Sequence, residues 1–198
     1  MEVVIVPDAK AGGELIAEAM AELLRRKPEA LLGVATGSTP LPIYQALARK
    51  ARSGAVDVSR ARVAQLDEYV GLPAEHPESY RSVLRREVLE PLGLGMDAFM
   101  GPDGTAEDVA GASEAYDRAL AEAGGVDLQL LGIGTDGHIG FNEPCSSLAS
   151  RTRIKTLTEQ TRIDNARFFD GDIDQVPGLQ DRADALGDHV VRHLVDVA

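Results

Sequence analysis

The chain has 198 residues, 44% hydrophobic and 26% charged, which suits one globular domain with a sizeable core. Its net charge of −12 disfavours nucleic acid or an anionic membrane as a partner, and its one cysteine, Cys145, excludes an intramolecular disulfide. The sequence carries no signal-peptide pattern and no apolar run near the ~20 residues of a membrane helix. We therefore expect a soluble cytoplasmic protein.

Short apolar runs alternate with helical patterns along the chain. The runs predict strands at residues 3–6, 30–35, 62–66 and 126–131. Apolar spacing predicts helices at residues 9–26, 39–53, 79–92 and 105–123. In the second helix, Thr39 is the predicted N-cap and Pro40 the first helical residue; Thr105 is the predicted cap of the fourth. The alternation predicts an α/β fold in three layers, with helices on both faces of a mostly parallel, doubly wound, Rossmann-like sheet.

Polar loops follow three of these strands. They are residues 36–39, 67–69 and 134–138. Ligands of such folds bind outside the carboxyl ends of the strands. The sequence therefore predicts one site where the three loops meet.

The first loop, with Gly37, Ser38 and Thr39, joins a strand to a helix. Free main-chain N–H groups at a helix N-terminus attract phosphate, and the two hydroxyl groups add donors. The alternative is ordinary capping of the helix by Thr39. The loop lacks the Gly-Lys-Ser/Thr ending of a P-loop.

The second loop places Asp67 and Glu68 at a strand end. Successive strand residues face opposite ways, so only one of the two carboxylates should face a cleft. The alternative is a pair of solvated acids.

The third loop surrounds His138 with two carboxylates, Asp136 and Glu143. A carboxylate can orient an imidazole and raise its basicity, so the cluster suits proton transfer near neutral pH. A metal site is less favoured, because hard-metal sites usually gather more carboxylates.

Two other patterns match functional motifs only in part. Gly132, Gly134 and Gly137 spell G-x-G-x-x-G, but no helix pattern follows, as a dinucleotide site would require. His189 and His193 have zincin spacing without the glutamate, which favours a polar stripe on a helix.

Several stretches together resemble one known family, the glucosamine-6-phosphate deaminases. The matching segments are residues 33–40, 66–72, 76–80, 132–144, 146–156, 161–162 and 165–169. The related 6-phosphogluconolactonases share the fold and the Asp-Gly-His element, but not residues 67–71 and 141–144 in this form. The likeness ends near Pro177.

The resemblance implies a role for each matching residue and a reaction that needs no cofactor. His138 would open the sugar ring, with Asp136 and Glu143 orienting it, and Asp67 would move a proton between C2 and C1 to give fructose 6-phosphate and ammonia. The implied substrate-phosphate residues are Gly37, Ser38, Thr39 and Arg167. The implied regulatory residues, which bind N-acetylglucosamine 6-phosphate in allosteric members, are Ser146, Arg153 and Lys155.

The sequence departs from the family after Pro177, without a counterpart of a phosphate-binding lysine. We therefore expect a domain at 1–177 and a divergent tail at 178–198. In the tail, the spacing of Leu186, Val190, Leu194 and Val195 predicts a short helix. We therefore also expect impaired activity. Strands and helices of the family fold that have no counterpart here would leave apolar sheet surface exposed, which would favour self-association into a homo-oligomer. The alternatives are a sugar-phosphate lactonase and a catalytically inactive sugar-phosphate-binding module.

Overall fold

A computed structural model describes residues 3–134, 137–142, 146–147, 149–177, 184–187 and 194–196. Its strands are β1 Leu31–Val34, β2 Arg62–Gln65, β3 Asp67–Tyr69, β4 Phe99–Met100, β5 Leu128–Leu131, β6 Arg153–Thr156, β7 Asp184–Gly187 and β8 Leu194–Asp196. Its α-helices are α1 Ala9–Arg26, α2 Leu41–Arg52, α3 Tyr80–Leu84, α4 Glu90–Leu92, α5 Val109–Glu122 and α6 Glu159–Ala166. A π-helical turn, Arg85–Leu89, joins α3 to α4, and short 3₁₀ turns lie at Met96–Ala98 and Ile173–Gln175.

The strands form two sheets. The larger has five strands in the order β4-β2-β1-β5-β8, and every neighbouring pair is parallel. The smaller is antiparallel, in the order β3-β7-β6. Along the larger sheet the chain runs outward from β1 to β2 and then returns to β5 on the other side of β1. The crevice between the carboxyl ends of β1 and β5 is therefore the topological switch point, where such sheets bind ligands.

Helices cover both faces of the larger sheet, as the sequence predicted. Successive residues of β1 show this, because Leu31 packs with Tyr116 and Leu120 of α5 while Leu32 packs on the opposite face with residues of α1 and α2. β1 and β5 are buried along their whole length, which explains why both are mostly apolar; Gln129 of β5 is polar but also buried. Among the described helices, none is both long and apolar enough to cross a membrane.

Several predicted boundaries are confirmed and others shift. The first helix occupies the predicted residues 9–26, and Ser79 caps α3 by accepting from the N–H of Ser82. The second helix begins at Leu41 with Pro40 as its N-cap, one residue later than predicted. The cap predicted at Thr105 is wrong, because Asp108 accepts from the N–H of Gly111 at the start of α5.

The strand predicted at residues 3–6 is wrong. These residues have no strand hydrogen bonding, and the side chain of Ile5 is 93% exposed. An apolar β-branched run has strand propensity, but a strand also needs a hydrogen-bonding neighbour. Here the described outer strands of the larger sheet are β4 and β8.

The short helix predicted in the tail is also corrected. The described residues of the tail form two strands, β7 between β3 and β6, and β8 beside β5. Open strand edges offer rows of main-chain donors and acceptors, and pairing with them outweighs a weak helical pattern. Val190, His189 and His193 lie outside the described residues. The domain division at residue 177 stays a prediction.

Candidate active site

One cavity of about 550 Å³ opens at the switch point between β1 and β5. Its volume is in the range of small-molecule sites. Six of the residues predicted from the sequence line it: Gly37, Ser38, Thr39, Asp67, His138 and Arg167. The three predicted loops do meet at one site.

The loop after β1 presents its hydroxyl groups to this cavity. Gly37 has a φ of +103°, a conformation that glycine adopts without strain, and Ser38 and Thr39 are exposed. The base of the loop is fixed by Tyr44, whose hydroxyl donates to the carbonyl of Ala35 at 2.7 Å and accepts from its N–H at 3.1 Å. The loop thus offers oriented donors next to the N-terminus of α2, an arrangement suited to an anion.

Only one of the two carboxylates at β3 faces the cavity, as strand alternation predicted. Asp67 lines the cavity although only 6% of it is exposed, so a carboxylate is held at the cavity wall with little water around it. Glu68 is absent from the cavity lining and is buried on the other side.

The Glu68 carboxylate joins β3 to α3. It accepts from the main-chain N–H groups of Tyr69, Tyr80 and Arg81 at 2.9, 3.0 and 2.9 Å, and from the side-chain amide of Gln65 at 3.0 Å. Two of these donors are the first N–H groups of α3, which favour a negative charge. Glu68 therefore fixes the strand that carries Asp67 relative to the helix that carries Tyr80.

His138 lies on a tight, glycine-rich loop that folds against Asp67. The N–H of Gly134 donates to the carbonyl of His138 at 2.8 Å, and the imidazole lies where a Cβ atom on Gly134 would be. A Cβ atom on Gly140 would lie 3.4 Å from Oδ2 of Asp67. The absence of side chains at these two glycines lets the histidine loop approach the Asp67 carboxylate.

An aromatic cluster holds the walls of the cavity together. The rings of Tyr69 and Tyr80 lie 4.8 Å apart, and Phe141 stacks on Tyr80 at 5.7 Å. Phe169, after α6, contacts Tyr69 edge-on at 5.6 Å. Such pairs stabilise beyond their buried area, so β3, α3, the histidine loop and the end of α6 pack as a unit.

Tyr80 lines the cavity and had no role assigned from the sequence. Its hydroxyl lies 3.2 Å from that of Tyr69, and its side chain also hydrogen-bonds to Thr36. Burial, with further contributions from Tyr69 and Asp67, raises the pKa of Tyr80 well above its usual value. The Tyr80 hydroxyl therefore stays neutral, between the loop at residues 36–39 and Asp67. No spacing rule could have identified it, because its place depends on the packing of α3 against β3.

Two arginines from different helical elements line the cavity. Arg167, at the C-cap of α6, lies 4.8 Å above the ring of Phe168, which holds its guanidinium. Arg86, on the π-helical turn, was not identified from the sequence. Beside it Glu87 also lines the cavity, and desolvation raises the pKa of this carboxyl.

The predicted regulatory residues lie away from the cavity lining. Arg153 and Lys155 are partly buried at alternate positions of β6, so they share one face of the strand, and Ser146 is partly buried in the preceding loop. Asp136 and Glu143 lie outside the described residues. Within the described ranges, no group of three or more His, Cys, Asp or Glu side chains could hold a metal ion.

Comparison with known proteins identifies the family of this chain. The family model described as "Glucosamine-6-phosphate isomerases/6-phosphogluconolactonase" matches residues 8–158. The chain belongs to this family. A glucosamine-6-phosphate deaminase of Streptomyces avermitilis is 91% identical over 177 residues, which are 89% of this chain and 68% of that relative. One from Mycolicibacterium smegmatis is 58% identical over the same shares of each chain.

Solved structures of family members have the same fold. A monomeric glucosamine-6-phosphate deaminase matches with a TM-score of 0.88 and 36% identity, covering 94% of this chain and 75% of its own. A 6-phosphogluconolactonase from Thermotoga maritima matches with a TM-score of 0.66 over the same shares, at 19% identity. The second likeness shows the family fold alone.

Proposed function

We propose that the protein is a glucosamine-6-phosphate deaminase, converting glucosamine 6-phosphate and water to fructose 6-phosphate and ammonia. The observation that carries the proposal is that Asp67 and His138 line the same cavity as the loop at residues 37–39 and Arg167. An aminosugar phosphate needs proton-transfer groups at one end of its site and hydrogen-bond donors for the phosphate at the other. Two relatives that are 91% and 88% identical over 177 residues carry this name.

In the proposed reaction His138 transfers a proton to open the pyranose ring. Asp67 then takes the C2 proton of the open-chain sugar and returns it to C1 through an enediol-type intermediate that keeps nitrogen on C2. Water hydrolyses the resulting C2 imine, which leaves the ketone and ammonia. The chemistry needs an acid/base group for the ring oxygen and another for the carbons, and no redox step. Asp136 and Glu143 would orient His138.

The substrate phosphate would lie on Gly37, Ser38 and Thr39, with Arg167 closing on it. A guanidinium group can form bidentate hydrogen bonds with a phosphate. Binding energy at this remote end of the substrate helps to hold the sugar carbons over Asp67. In a chain with a net charge of −12, these local donors must offset the overall field.

A regulatory site for N-acetylglucosamine 6-phosphate at Ser146, Arg153 and Lys155, and a cytoplasmic location, belong to the same proposal. Support for the former is that Arg153 and Lys155 share one face of β6. The low activity expected from the departure after Pro177 stays a prediction.

The direct test offers the purified chain two substrates in parallel. Ammonia release from glucosamine 6-phosphate supports the deaminase, while hydrolysis of 6-phosphogluconolactone without ammonia release would replace it by a lactonase. Calorimetric binding of N-acetylglucosamine 6-phosphate with no turnover of either compound would replace it by a binding module.

A further inference from the structure

Arg153 lies on β6, outside the lining of the cavity, yet its side chain reaches the loop that carries His138. Its Nη2 donates to Oδ1 of Asn142 at 2.8 Å in a partly buried contact. Its Nη1 donates to the carbonyl of Arg151 at 3.2 Å. Two hydrogen bonds from one planar group fix its orientation, and a bond from a charged donor is stronger than one between neutral groups.

Asn142 in turn closes the small hairpin of the histidine loop. The N–H of Ile139 donates to the carbonyl of Asn142 at 3.1 Å, and the N–H of Asn142 donates back at 2.9 Å. Ile139 follows His138 directly and also bridges to Ile133 on the strand side. A displacement of Asn142 therefore moves Ile139 and the main chain of its neighbour His138.

The loop needs such an anchor because its own backbone is permissive. Gly137 and Gly140 both have positive φ, at +89° and +58°, and glycine loses more conformational freedom on folding than any other residue. Phe141 anchors one side of the hairpin in the aromatic cluster. On the other side, the Arg153–Asn142 hydrogen bond provides a polar anchor.

We propose that Arg153 is a positioning residue for His138 and acts through Asn142. The proposal rests on the proposed function, in which His138 transfers a proton in this cavity. This role is additional to anion binding by Arg153 at the proposed regulatory site, because its effect on turnover without a regulator would depend on its bond to Asn142 and not on its charge alone.

Steady-state kinetics on glucosamine 6-phosphate separate these roles. Arg153→Gln and Asn142→Ala should each lower kcat by about 10- to 100-fold, since small misplacements of a catalytic group have effects of this size. KM should change by less than about threefold, because the phosphate contacts are untouched. The double variant should be no worse than either single one, since both remove the same bond.

Two further variants control for folding and charge. Arg151→Gln removes a neighbouring positive charge without touching the Asn142 side chain, and it should leave kcat unchanged. Asn142→Asp keeps an acceptor for Arg153 and should retain most of kcat even if Asn142→Ala folds poorly. Effects that add in the double variant, or that fall on KM alone, would overturn the proposal.

A readout independent of turnover keeps the test separate from the proposed function. The imidazole Cε1–H resonance of His138, assigned by its loss in His138→Gln, should move in Arg153→Gln and in Asn142→Ala but not in Arg151→Gln. A resonance unchanged in the first two variants would overturn the positioning role. A chain that releases no ammonia yet shows the predicted shifts would refute the proposed function and support the positioning of His138.

Discussion

The main-chain N–H of Gly134 donates to the carbonyl oxygen of His138, and the His138 imidazole occupies the space that a Cβ atom on Gly134 would fill. The side chain proposed to open the sugar ring therefore rests directly on glycine backbone. The glycines that spell a dinucleotide fingerprint in this stretch have a different use here, since Gly134 seats the histidine.

Gly134→Ala should lower kcat by about 10- to 100-fold, because the new methyl group must displace the imidazole. The matched control is Gly12→Ala in α1, outside the cavity lining, where a Cβ atom would make only an ordinary contact with Val6 at 3.4 Å. Kinetics of both variants on glucosamine 6-phosphate, with their melting temperatures, check this. Equal activity of the two variants would show that His138 does not depend on this seat.

Glu68→Gln should lower the free energy of unfolding by about 2–3 kcal/mol, because an amide cannot accept all the hydrogen bonds that the buried carboxylate accepts. Urea denaturation measures the change. Glu75→Gln, at an exposed position of the following loop, should change stability by less than about 0.5 kcal/mol. A similar small effect at both positions would contradict the role of Glu68 in joining β3 to α3.

Arg167→Gln should raise KM for glucosamine 6-phosphate by about 10- to 100-fold, the range expected for losing a hydrogen bond to a charged group. Inhibition by inorganic phosphate should weaken in parallel, since phosphate is the part of the substrate that Arg167 would contact. Arg85→Gln removes an exposed charge outside the cavity lining and serves as the control. An unchanged KM in Arg167→Gln would place the phosphate elsewhere.

Glu87 gives a prediction in pH. Desolvation raises its pKa in the folded protein, so its ionised form opposes folding, and this cost appears as pH rises from the usual carboxyl pKa through the raised value. Glu87→Gln should therefore raise the melting temperature at pH 7, and the gain should vanish below about pH 4. The matched control, Glu90→Gln at an exposed position of α4, should change the melting temperature little at pH 7. A lower melting temperature for Glu87→Gln at pH 7 would contradict the desolvation argument.

The sequence was informative where a short-range rule decides the structure. Strand alternation predicted that one of Asp67 and Glu68 faces a cleft, because that depends on neighbouring residues alone. The alternation of strands and helices predicted the parallel sheet and hence the edge where Gly37 and His138 meet, because parallel strands share one carboxyl end.

The rest depends on long-range pairing. The exposure of Ile5 and the strands of the tail follow from which sheet edges have partners, and a local pattern carries no such information. The contact of Arg153 with Asn142 joins residues 11 apart through tertiary packing. Tyr80 reaches the cavity because α3 packs against β3, where Glu68 accepts the Tyr80 N–H and the Tyr69 ring contacts the Tyr80 ring.

Ammonia release from glucosamine 6-phosphate by the purified chain and by its Asp67→Asn variant is the most direct measurement. We expect release by the chain and a loss of about 10²- to 10⁴-fold in the variant, with substrate binding retained, because a positioned acid/base group contributes a factor of this size. Release at the same rate by both proteins would contradict the role of Asp67, and release by neither would contradict the proposed activity.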